Sequence, residues 1–209
     1  DALPIFASAI LNCSKNSFTK KQVTDRVNTY MNLLSYARAE LSDTLLIDPD
    51  NALNSVITKF IHRNIIELAD EDEEDLTDTT TLIVKNNKRA ILDYYKNGVI
   101  SFFSNYAYTA LAILEIDRFQ FSPSDLAVRY KFLEKMFMDE FCFDEETTSE
   151  EEISKCIKGF INEGILVPDP TASDIYHLTS EGLRKIKWFA AFLHPFLESY
   201  KTTLLYFEK

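Results

Sequence analysis

Apolar residues recur along most of the chain at three- and four-residue spacing, the period of a helix with one buried face. Val23, Val27, Tyr30, Leu34 and Ala37 form one such stripe, and Leu126, Tyr130, Leu133 and Phe137 form another. Helix-start signals accompany them. Thr19 stands three residues before Gln22, Ser122-Pro123 precedes Asp125, and Ser149 precedes Glu152. In each pair a hydroxyl caps the first turn and the later side chain caps back. Strand-like sequence is confined to short pieces, Ile65 to Leu68, Thr81 to Val84, Ile165 to Val167 and Ile175 to Leu178, which pair off as two small hairpins. The pattern predicts a mainly α chain with small β-hairpins, an α+β protein.

The stripes also repeat. Leu53, Ile57, Phe60, Ile61 and Ile65 are answered 100 residues on by Ile153, Ile157, Phe160, Ile161 and Ile165, with Asn64 opposite Gly164. Asn and Gly are the two residue types that best accept a left-handed helix end. Upstream, Phe18-Thr19 and Val23 match Phe121-Ser122 and Leu126 at an offset of 103. Downstream, Leu92, Tyr95, Val99 and Phe102 match Ile186, Phe189, Leu193 and Phe196 at an offset of 94. Drifting offsets are what a change of loop length between two related modules gives. The expected modules are residues 1–117 and 118–209, each reading helix, helix, hairpin and long aromatic helix, either as two domains or packed as one. Helix, hairpin and helix in that order is also the plan of tandem winged-helix-like modules.

Charge decides what such modules would touch. With 22 Lys and Arg against 33 Asp and Glu the chain carries −11, the wrong sign for wrapping DNA or RNA. The acids are not spread evenly. Residues 67–78 and 139–152 hold 16 of the 33 and no Lys or Arg, so elsewhere 22 basic residues face 17 acidic ones. One acidic segment, Asp70 to Asp75, falls where the first wing would meet phosphates, so no nucleic-acid partner is expected. Lys85, Lys88, Arg89 and Lys96 stand beside the aromatic helix and leave an anionic membrane face open.

Candidate chemistry is sparse. Four glycines are too few for a phosphate-cradling loop, and no cofactor is expected. Cys13, Cys142 and Cys156 are widely spaced and read as buried thiols of a reducing compartment. His62, His177 and His194 have no second ligand at metal spacing. Asp70 to Asp75 lacks the central Gly of a calcium loop, and Asp144 to Glu146 and Glu150 to Glu152 read as a solvated linker and a helix start. No catalytic residue is singled out. The uncharged stretch Gly98 to Leu114 has 17 residues, short for a membrane span and suited to a covered helix. No signal peptide is visible, and a start at Asp1 reads as a fragment or a processed product. Aromatic residues crowd two helices, Tyr94 to Tyr108 and Trp188 to Phe207. Tyr94, Tyr95, Phe102, Phe103, Tyr106, Trp188, Phe196 and Tyr200 are the candidate docking surface for another domain or a membrane.

Three runs, Ile91 to Phe103, Ile161 to Leu166 and Phe192 to Tyr200, resemble in order the part of PlsB-type glycerol-3-phosphate acyltransferases that follows the catalytic domain. The tyrosine pair followed by Lys96 and Asn97, and the Pro195 to Tyr200 run, are the more specific elements of the likeness. The resemblance implies a parent enzyme that transfers an acyl group from acyl-CoA or acyl carrier protein to glycerol 3-phosphate, the first step of phospholipid synthesis. In that family the catalytic His-x4-Asp motif lies upstream. Five residues beyond His62, His177 and His194 stand Glu67, Gly182 and Ser199, so no such motif exists here, and Ser101 replaces a His common in the family. The reading is therefore an accessory C-terminal part on the cytoplasmic side of a membrane, peripheral, packed on an upstream acyltransferase domain. The alternative is a stand-alone tandem winged-helix-like protein-interaction module.

Overall fold

The computed structural model describes residues 2–13, 16–37, 45, 47–116, 118–141 and 146–207, with side chains to residue 203. Cys142, Asp144 and Glu145, and the side chains of Tyr206 and Phe207, lie outside the described residues. The chain divides into two compact units, Asp1–Val99 and Ile100–Lys209.

In the first unit helix α1 (Leu3–Leu11) is buried from Ile5 to Leu11, because α2 (Lys20–Tyr36), α3 (Pro49–His62) and α4 (Arg89–Lys96) all pack against it. The start of α2 is the cap read from the sequence: Gln22 N–H donates to Thr19 Oγ1 at 3.3 Å, and Thr19 N–H donates to Gln22 Oε1 at 3.1 Å. Behind it Val23, Val27, Tyr30 and Leu34 are buried, while Ala37 is exposed. Asp48 caps α3, its Oδ1 accepting from Asn51 N–H at 3.0 Å, with Pro49 preset for the first turn. The far end of α3 closes on Asn64 at φ 60°, with Asn64 N–H bonded to Ile61 O at 2.9 Å and Ile65 N–H to Phe60 O at 2.9 Å. Two orphan carbonyls are thereby satisfied.

The second unit repeats this plan. Helix α5 (Ile100–Glu115) is flanked by α6 (Pro123–Met136), α7 (Ser149–Asn162) and α8 (Ser180–Ala190), and α9 (His194–Phe207) follows. At the start of α6, Asp125 Oδ2 accepts from Ser122 N–H at 2.8 Å and from Ser122 Oγ at 2.9 Å. The end of α7 closes on Gly164 at φ 66°, with bonds to Ile161 O and Phe160 O that match those at Asn64.

Strands add the same correspondence in register. The first sheet has the order β1 (Ser17–Thr19), β3 (Thr81–Val84), β2 (Ile66–Leu68), and the second has β4 (Gln120–Phe121), β6 (Tyr176–Leu178), β5 (Leu166–Pro168), all antiparallel. Phe18 faces Leu82 as Phe121 faces Tyr176, and Ile66 faces Val84 as Leu166 faces Leu178. Offsets of 103, 100 and 94 carry one ladder onto the other.

Three expectations change. Each predicted hairpin gains a third strand. The helix N-cap at α7 is Thr148, which exchanges hydrogen bonds with Glu151, because Ser149 Oγ is engaged with Glu134 Oε2 at 2.8 Å and Glu152 with Asn105 and Lys155. The long aromatic helices are each broken. Gly98 and Val99 bond three residues back to Tyr95 and Lys96, and Phe192 and Leu193 bond back to Phe189 and Ala190. At the first break a Cβ on Gly98 would meet Pro4 Cγ at 3.2 Å; at the second, Pro195 cannot continue the helical ladder.

Candidate docking surface

The eight aromatic candidates divide by burial. Tyr94 is 75% exposed and Phe102 55%, whereas Phe103, Tyr106 and Trp188 are buried. Tyr95, Phe196 and Tyr200 are half-buried. The buried three have partners within the second unit. Phe103 stacks on Phe192 with centroids 4.9 Å apart, Tyr106 meets Phe160 at 5.4 Å, and the Arg184 guanidinium lies 4.8 Å from the Trp188 ring. Tyr200 stacks on Phe137 at 5.7 Å and donates its hydroxyl to Glu140 Oε1 at 2.7 Å, which raises its pKa. Phe196 sets its edge against Phe141 at 5.2 Å. In the first unit Tyr95 lies against Phe60 at 5.8 Å and accepts a hydrogen bond from Arg63 Nη1. Tyr94 meets Tyr95 edge-on at 5.9 Å and turns most of its ring to solvent.

A second exposed apolar group lies where the sequence reading singled out nothing. Phe119, Val128 and Phe132 are 63%, 82% and 54% exposed. Val128 and Phe132 sit one turn apart on α6, off the buried stripe of Leu126, Tyr130 and Leu133, and that offset was the available signal. They border a cavity of about 380 Å³ that also meets Ile116 and Arg129. Arg129 lies 5.1 Å from the Phe132 ring and pairs with Glu115 at 2.5 Å, so its charge is engaged at the rim.

Two thiols and three tyrosine hydroxyls lie buried in the two units. Desolvation by burial pushes the Cys13 thiol up to about 11 and the Cys156 thiol up to about 12. The Tyr30, Tyr108 and Tyr130 hydroxyls are raised for the same reason. All five stay protonated at neutral pH, and the thiolate is the nucleophilic form of cysteine. His177 does have an acidic partner, Asp169, with Nε2 and Oδ2 2.6 Å apart. Asp169 Oδ1 also accepts from Thr171 N–H and Oγ1 at 2.8 Å each and from Ala172 N–H at 2.9 Å. His177 first and these donors next hold the carboxyl far below the usual carboxylate range. The pair pins the loop between β5 and β6. His177 borders a shallow cleft of about 650 Å³ shared with Arg118, Gln120 and Phe121.

Among the described residues no group of three His, Cys, Asp or Glu side chains could hold a metal ion. No described helix is long and apolar enough to cross a membrane. The family model for the glycerol-3-phosphate acyltransferase C-terminal region matches residues 2–209. A search of the curated proteins returns no match.

Proposed function

The chain belongs to the glycerol-3-phosphate acyltransferase C-terminal region family, and from that premise we propose that it is an accessory, non-catalytic module that docks on the acyltransferase part of such an enzyme. Each unit is winged-helix-like, with a strand, two helices, a hairpin and a closing helix built on a central helix. One observation carries the docking reading: Phe102 presents its ring to solvent on α5, where Phe103, Tyr106 and Tyr108 are buried. Exposed aromatic side chains of this size are costly to leave in water and are favoured where a partner covers them.

The non-catalytic part of the reading is supported by the raised thiols and hydroxyls, which disfavour a nucleophile. His177 has Asp169 as an orienting partner, but the other hydrogen bonds of that carboxylate are spent on the loop between β5 and β6. Binding of acyl-CoA or acyl carrier protein and of glycerol 3-phosphate is accordingly assigned to the acyltransferase part, upstream in the parent enzyme. The module works as a peripheral element on the cytoplasmic face of the membrane where phospholipid synthesis occurs.

The test is acyl transfer from palmitoyl-CoA to glycerol 3-phosphate by the 209-residue chain alone. The expected rate equals that of buffer. Turnover that saturates with substrate would overturn the accessory reading, and a chain that fails to bind an acyltransferase part of the same family would favour the stand-alone interaction module instead.

A further inference from the structure

In the first unit the sheet separates charge end from end. Its tip, the loop between β2 and β3, carries Asp70, Glu71, Asp72, Glu73, Glu74 and Asp75, and these residues are exposed or half-buried. Its base is basic. Lys59 and Arg63 lie one turn apart at the exposed end of α3, Lys85 closes β3, and Lys88 and Arg89 begin α4. Lys85 joins the hairpin base to the end of α3, with Nζ 2.6 Å from Asn64 Oδ1 and 3.0 Å from Glu67 Oε2. Arg63 reaches Tyr95, and Tyr94 stands beside it. Among the described residues no acid is within ion-pair distance of Lys59, Arg63 or Lys88. Cations without an acidic partner and a protruding tyrosine therefore share one end of the unit.

We propose that this basic, tyrosine-bearing end of the first unit is a docking face for an anionic phospholipid surface, with Lys59, Arg63 and Lys88 meeting headgroups and Tyr94 entering the interface. The charge is complementary, since clustered Lys and Arg are drawn to anionic leaflets. A tyrosine with an apolar ring and a polar tip suits the headgroup level. Charge separation also sets the orientation. Strands of three and four residues hold the acidic loop about 10 Å or more from the base, roughly one Debye length. The surface that attracts the base repels the tip, and the unit stands with its acidic loop pointing away. A nucleic-acid duplex read by a winged-helix module would instead have to meet the acidic tip.

The proposal goes beyond the docking reading and takes from it only that a membrane lies beside the chain. It is tested by co-sedimentation of the whole chain with vesicles of phosphatidylcholine alone, and of phosphatidylcholine with a minority of phosphatidylglycerol. Binding is expected only with the anionic vesicles and falls as salt rises. The Lys59→Glu/Lys88→Glu variant, which leaves the Arg63 hydrogen bond intact, binds about tenfold or more weakly. Tyr94→Ser weakens binding at every salt concentration. Asp70→Asn/Asp72→Asn/Asp75→Asn changes it less than about twofold, because the tip faces away. Circular dichroism and melting temperature confirm that each variant is folded. Equal binding to neutral vesicles, no loss on charge reversal, or tighter binding to a DNA duplex than to anionic vesicles overturns the proposal. If vesicle binding fails while the chain still binds the acyltransferase part, only the lipid face falls; the reverse result removes the docking reading and leaves the lipid face.

Discussion

At the scale of single residues, the tightest constraint is Gly182. Its N–H donates to Thr179 Oγ1 at 2.7 Å, and a Cβ there would stand 2.0 Å from the Ile165 carbonyl oxygen. Backbone cannot give way as a flexible side chain can, so Gly182→Ala is expected to cost about 3 kcal/mol or more, measured by urea unfolding. Gly164 is constrained differently. Space around it is open, but φ is 66°, so Gly164→Ala costs about 1 kcal/mol. The Asp169 carboxyl makes a pH signature. Its folded pKa is depressed, so it stabilises the fold above its unfolded value near pH 4, and that contribution is lost as pH falls toward the folded value. Asp169→Asn should lower the melting temperature at pH 7, with a gap from the parent chain that narrows as pH drops below 4. A gap that stays constant with pH would remove the carboxylate from the account.

Elements show what was legible and what was not. Offsets of 103, 100 and 94 were readable because buried stripes and left-handed caps are properties of residue type at fixed spacing, and the two sheets keep the same offsets in register. Phe60 and Phe160 are both fully buried at the last turn of matched helices. Truncating either to Ala is expected to cost about 3–5 kcal/mol, and similar losses at the two sites would mark equivalent places in two cores. The strands β1 and β4 escaped because two or three residues that run straight into an N-cap carry no alternation. The breaks after α4 and α8 escaped because a turn of three-residue hydrogen bonds leaves the apolar spacing unbroken from Leu92 to Phe102. At α7, Thr148 and Ser149 are adjacent hydroxyls before a run of three glutamates, so the sequence allowed either frame and the Ser149–Glu134 contact decided it. Exposure of Tyr94 and Phe102 was illegible for a related reason: in a helix rich in aromatic residues on every side, composition does not say which face is outward.

Taken whole, the chain is a member of the glycerol-3-phosphate acyltransferase C-terminal region family whose net charge of −11 conceals a divided distribution. Acids gather in two segments, and the basic residues left elsewhere include a coherent end of the first unit. Burial keeps the Cys13 and Cys156 thiols and the Tyr30, Tyr108 and Tyr130 hydroxyls protonated, and the described aromatic rings are either packed or offered outward. The central claim is docking without catalysis. It is tested most directly by titrating the 209-residue chain into an acyltransferase part of the same family and following acyl transfer to glycerol 3-phosphate. The account predicts no turnover by the chain alone and a saturable change in rate on titration, which Phe102→Asp shifts to higher concentration by about tenfold or more. Turnover by the chain alone, or a rate indifferent to its presence, would contradict it.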